Sequence, residues 1–99
     1  MAYKPAKVLL EIDAYEAGGE QIAVRVEKWE RGDPMLSKRV CFEQDDVLVG
    51  GKAKGIVLSD FKKILIQSEE ILRALGATAL DFEDVGMPVP VGLVEAEPD

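Results

Sequence analysis

Apolar residues recur at every second position near the start of the chain. Val8, Leu10, Ile12 and Ala14 alternate with Leu9, Glu11, Asp13 and Tyr15. This period predicts a half-buried strand from Lys7 to Tyr15. Glu16-Ala17-Gly18-Gly19 follows as a turn in which glycine supplies positive φ. Alternation resumes from Gln21 to Glu30, with Ile22, Val24 and Val26 on one face and Arg25, Glu27 and Trp29 on the other. The two segments read as a hairpin. Arg31-Gly32-Asp33-Pro34 is a second turn. A third strand runs from Lys38 to Gln44, with Val40 and Phe42 opposite Arg39, Cys41 and Glu43. Asp45-Asp46 interrupts it, and Val47-Leu48-Val49 either continues it past a bulge or forms a short strand of its own. Gly50 to Gly55 reads as a mobile loop and Ile56-Val57-Leu58 as a last short strand.

The period then changes to that of a helix. Phe61, Ile64, Leu65, Ser68, Leu72 and Leu75 recur at spacings of three and four, and Ile71 widens the stripe. Ser59 is a suitable N-cap, Asp60 suits the positive end of the dipole, and Gly76 is a stop signal. One amphipathic helix from Ser59 to Leu75 is expected. The fold class is therefore α+β: an antiparallel curved sheet of four to five strands followed by one C-terminal helix. Residues 1–76 form this domain. Residues 77–99 form an arm with a short element at Ala79–Phe82, a Pro/Gly segment unsuited to a central strand or helix, and an acidic end at Glu95–Asp99. The apolar stripe, with Ile66 beside it, exceeds what one small sheet covers. A second copy packing on the helix, through Phe61, Ile64, Leu65, Ser68, Ile71 and Leu72, is the expected arrangement.

Charge refines this picture through its distribution. Up to Lys63 there are 11 Lys/Arg and 11 Asp/Glu; beyond it Arg73 faces 8 acids, so the whole net charge of −7 lies in the helix and arm. The strand region is neutral and can still present a basic face. Cys41 is the only cysteine, which excludes an intrachain disulfide and favours a reducing compartment. No apolar run reaches the length of a membrane span or a signal-peptide core, so a cytoplasmic location is expected by default.

No catalytic constellation stands out, and a non-enzyme without metal or cofactor is expected. Histidine is absent, which removes the usual general base and metal ligand. Gly50 to Gly55 has the glycine spacing of a nucleoside-triphosphate loop, but Ile56 and Val57 stand where Lys and Ser or Thr are required. What remains is a lysine-bearing loop, with Lys52 and Lys54, able to meet phosphates. The other constellation is cationic and aromatic. Arg25 and Trp29 share a strand face, Lys28, Lys38 and Arg39 flank the turn, and Phe42 follows. Such a sheet binds single strands by base stacking and phosphate contact. Glu27, Glu30 and Glu43 are interleaved and could neutralise it as cross-strand pairs.

Several pieces of this sequence resemble the positive cofactor four family, the single-stranded-DNA-binding transcriptional coactivators and their bacterial and phage relatives. They are Arg25-Val26-Glu27-Lys28-Trp29-Glu30, Gly32-Asp33-Pro34, Lys38-Arg39-Val40, and Gly51 to Ser59 leading into a helix. The strongest piece is Lys54-Gly55-Ile56-Val57-Leu58-Ser59, similar to the family's Lys-Gly-Ile-x-Leu-Thr/Ser signature. The resemblance implies four antiparallel strands and a helix, dimerisation through the helices, and curved sheets that hold single-stranded DNA, or RNA, largely without sequence preference. It matches Lys54 to the signature lysine and Trp29 to a tryptophan of the bacterial branch. Arg25, Lys28, Lys38, Arg39, Phe42 and Lys52 join them on chemistry alone. The chain departs from the family in its acidity and its long arm, which could lie over the groove or meet a protein partner. A protein-interaction module that keeps the fold without DNA binding is the alternative expectation.

Overall fold

The computed structural model describes residues 7–44 and 47–93. Four strands, β1 (Lys7–Ala17), β2 (Glu20–Lys28), β3 (Met35–Gln44) and β4 (Val47–Ala53), form one open, antiparallel sheet in sequential order. The helices α1 (Leu58–Ile66), α2 (Ser68–Ala74) and α3 (Ala79–Asp84) follow, then a 3-10 turn at Val91–Leu93. The architecture is α+β, with an open curved sheet, as the alternation implies. Asp45-Asp46 and the acidic end at Glu95–Asp99 lie outside the described residues.

The β1–β2 hairpin closes through Gly18 and Gly19 at φ 59° and 80°, with Ala17 paired to Glu20. Two consecutive positive φ values match the twist of the flanking strands. Irregularities in β1, between Val8 and Leu10 and between Glu11 and Asp13, shift its register against β2. Simple alternation therefore fails in this strand. Val8 pairs with Glu27, Leu10 with Val26, Glu11 with Arg25 and Tyr15 with Ile22. Leu9 and Leu10 both pack on the core, as does Tyr15. Bulges of this kind bend a strand and raise its twist.

The core lies between one sheet face and the helices. Val24 and Val26 are fully buried, and Ile12 and Ile71 join them, with Leu36, Ile64 and Leu75 packed around. Three features differ from the spacing-based expectation. Gly50 to Ala53 belong to β4 rather than to a loop, because they pair with β3. Ile56-Val57 form no strand, and Leu58 already begins α1. The single helix is instead two, broken at Gln67, and the N-cap is Val57 rather than Ser59.

Each difference has a local cause. The Asp60 carboxylate accepts the Val57 backbone N–H at 3.0 Å, which sets the helix start two residues before Ser59. The Gln67 amide donates to the Ile12 carbonyl at 3.0 Å, at the second irregularity of β1. The inward helix positions are thus Asp60, Ile64, Gln67, Ile71 and Leu75, two of them polar and both bonded across the domain. Gly76 ends α2 as expected, at φ 89°, with Ala77 N–H on the Leu72 carbonyl and Gly76 N–H on that of Arg73. Thr78 and Asp81 cap α3 reciprocally, and α3 buries Phe82 completely.

Candidate nucleic-acid interface

Paired strand residues share a face, so the register lays out the sheet surface opposite the helices. One row holds Glu16, Gln21, Cys41 and Gly50. The next holds Ala14, Ala23, Arg39 and Ala53. Glu11, Arg25 and Ser37 form a third, and Val8, Glu27 and Met35 a fourth. The acids Glu11, Glu16, Glu27 and Glu43 share this face with Arg25 and Arg39.

Glu27 organises the centre. It is fully buried and accepts from Arg25 Nη2 at 3.0 Å, from Arg39 Nε at 3.4 Å and from the Ser37 hydroxyl. Arg25 is itself 3% exposed, and its Nη2 also reaches Cys41 Sγ at 3.3 Å. Removing either guanidinium would leave part of a buried charge without its partner. Burial pushes the Cys41 thiol up, against the opposing pull of Arg25, so this cysteine is a poor nucleophile.

Arg39 is the more accessible guanidinium. It lies 5.5 Å from the centre of the Trp29 ring and donates to the Gly51 carbonyl at 3.4 Å. A cation held over an indole face makes a combined stacking and charge platform. Lys52 is exposed and enters no ion pair among the described residues. Beside Arg39 the sheet carries a trough of about 460 Å³, floored by Ala14, Ala23 and Cys41 and edged by Glu11 and Glu43. Phe42 alternates with Cys41 and shares the opposite face with its partner Val49 and with Gly51, so it stands apart from Arg25, Trp29 and Arg39.

The other sequence-derived cations are placed differently. Lys38 shares the face of Val24 and Leu36, toward the helices. It is 9% exposed and paired with Asp60 at 2.5 Å. The Asp60 hydrogen bond, then that of Tyr15, holds the Lys38 ammonium above its ordinary pKa despite desolvation. Lys54 pairs with Glu20 at 2.9 Å and lines a second cavity, of about 520 Å³, together with Lys38, Tyr15 and Ser59. Lys28 donates to the carbonyls of Trp29 and Gly32 at 3.1 and 2.6 Å, which ties the β2–β3 turn. The structure thus brings Arg25, Trp29 and Arg39 together and sets Lys38 and Lys54 apart from them. Parity carried the signal for Lys38, which alternates in phase with Val40 on the core side. The interleaving of Glu27 with the cations signalled its neutralising role, whereas that of Asp60 had no local signal.

Of the six proposed interface residues on the helices, Ile71 is buried in the domain's own core, and Ile64 packs against it. Phe61 and Leu65 are half exposed and continue with Leu58 and Ile66, at 74% and 79% exposed, into an outward apolar ridge. Ser68 and Leu72 are partly buried. Among the described residues no cluster of acids and cysteine is placed to hold a metal, and no helix is long and apolar enough to cross a membrane. Comparison with protein-family models, curated proteins and solved structures finds no match to this chain.

Proposed function

We propose that this chain is a non-catalytic single-stranded nucleic-acid-binding module, coactivator-like in its use, that takes the strand on the sheet face opposite its helices. The observation that carries the reading is the pairing of Trp29 with Arg39 beside the sheet row of Ala14, Ala23 and Ala53. Lys52 on β4 is a further exposed cation. Arg25 acts through Glu27 rather than on phosphate, and Lys38 and Lys54 support the helix junction. A second copy covers the outward ridge of α1 in this reading. The test is the fluorescence of Trp29, the only tryptophan. Titration with a short single-stranded oligonucleotide at low salt should give saturable quenching, and Arg39→Ala should weaken it several-fold. Absence of any quenching and of any anisotropy change on a labelled oligonucleotide would sink the proposal.

One observation favours a second reading. The acids of the open face outnumber its arginines, and the α1 ridge is apolar and exposed. A protein-interaction module with no affinity for single strands would look the same. Retention of an unaltered oligomer with no oligonucleotide binding would select it.

A further inference from the structure

An acid at the centre of a face offered to a polyanion works against binding by charge alone. Glu27 is nevertheless fully buried there, with both oxygens engaged. Oε2 accepts from Arg25 Nη2 at 3.0 Å, and Oε1 accepts from the Ser37 hydroxyl and, at 3.4 Å, from Arg39 Nε. The register shows what the last bond achieves. Arg39 starts in the row of Ala14, Ala23 and Ala53, two rows from that of Glu27 and Met35, with Arg25 and Ser37 in the row between. Arg39 and Glu27 therefore lean toward each other along the sheet to meet. Arg39 Nη1 also donates to the Gly51 carbonyl at 3.4 Å. One acceptor from β2 and one from β4 thus orient a guanidinium rooted in β3 between them. In that pose it lies 5.5 Å from the centre of the Trp29 ring.

We infer that Glu27 is a positioning residue for strand binding: it holds the Arg39 guanidinium over Trp29, so that an oligonucleotide meets a platform already assembled. The inference rests on the strand-binding reading above. Arginine has many rotamers, and ordering it before association removes that entropy loss from the binding step. Arg25 is the counter-charge that lets Glu27 stay buried, and two guanidiniums less one carboxylate leave the group at +1. The sign of one substitution separates positioning from charge. Glu27→Gln raises the group to +2, since it removes the one carboxylate. A carboxylate that only repels phosphate gives tighter binding when it is removed, whereas one that positions Arg39 gives weaker binding.

The test follows the anisotropy of a labelled single-stranded oligonucleotide at low salt, and the emission of Trp29 in the free protein, both on the full chain at neutral pH. Glu27→Gln should weaken binding about threefold or more, within the range of couplings between contacting residues. In an Arg39→Ala background it should weaken binding no further, because no guanidinium is left to position. Trp29 emission should change in the same direction in Glu27→Gln as in Arg39→Ala. Glu27→Gln leaves Arg25 buried without its counter-charge, so Glu27→Asp is measured beside it. That variant keeps the charge, draws the carboxylate back from Arg39 by one methylene, and should also weaken binding. Glu27→Gln binding as tightly as wild type or tighter, a loss that persists in the Arg39→Ala background, or unchanged Trp29 emission overturns the positioning role and leaves strand binding standing. Where Glu27→Gln does not fold, wild-type affinity in Glu27→Asp overturns it. Failure of the wild-type chain to bind overturns strand binding itself, and this role with it.

Discussion

Asp60 is 1% exposed and ionised, and three separate parts of the chain hold it there. Burial alone would raise its carboxyl pKa. The Lys38 ammonium, the Val57 N–H and the Tyr15 hydroxyl, at 2.8 Å, together outweigh burial and lower it. A folded-state pKa below the unfolded value, about 3.9, stabilises the protein above that pH. The contribution fades as pH falls through the folded value. For Lys38 the sign is opposite: its raised pKa contributes fully below about 10.4 and is lost as pH rises through the folded value. The pair is therefore whole between these limits. Asp60→Ala should cost about 3 kcal/mol at pH 7, because it leaves a buried ammonium unpaired. Urea denaturation at pH 7 and at about pH 3 should show the gap to wild type narrowing in acid. An equal gap at both would mean that packing, not charge, holds Asp60. Little of this was legible beforehand. Sequence separates Lys38 from Asp60 by a turn, a strand and a junction, and the pairing exists only once β3 and α1 are placed.

At the scale of elements, the strands were legible and the helix only in part. Alternation locates β2 and β3 because their mutual pairing is regular and their apolar residues keep one phase. It misassigns β1, where two irregularities reset the phase. The helix misleads for a related reason. Its most apolar stripe, through Phe61 and Leu65, is not the one that meets the sheet. The inward stripe carries Asp60 and Gln67, and polarity there is compensated by bonds to β1 and β3 that periodicity does not see. This difference has a measurable consequence. Ile71→Ala removes a buried side chain from the core and should cost about 2–4 kcal/mol in denaturant. Leu65→Ser, on the exposed ridge, should leave monomer stability within about 0.5 kcal/mol. Sedimentation would then show Leu65→Ser, not Ile71→Ala, shifting assembly toward monomer. Unchanged sedimentation for Leu65→Ser combined with Phe61→Ser would remove the ridge from any interface.

For the whole molecule, the number of cations matters less than how many remain available to a polyanion. The strand region carries as many bases as acids, which reads in sequence as a face with cations to spare. Folding engages five of them in ion pairs. Arg25 joins Glu27, Lys38 joins Asp60, Lys54 joins Glu20, and Lys63 lies 3.7 Å from Asp13. Arg39 shares Glu27 but stays partly exposed over Trp29, and Lys52 is exposed on β4. A single strand on the open face would therefore meet about two phosphate-neutralising side chains per domain. Each such contact on single-stranded nucleic acid contributes about −0.7 to the slope of log K against log salt. The expected slope is shallow, between about −1 and −2, and most of the affinity comes from stacking on Trp29. Titrations at several salt concentrations, followed by Trp29 fluorescence, read the slope directly. Lys52→Ala should flatten it by about 0.7, whereas Lys38→Ala should unfold the helix junction before it changes the slope. A slope steeper than about −4 would require the buried pairs to open on binding, and Arg25 would then have to reach the strand itself.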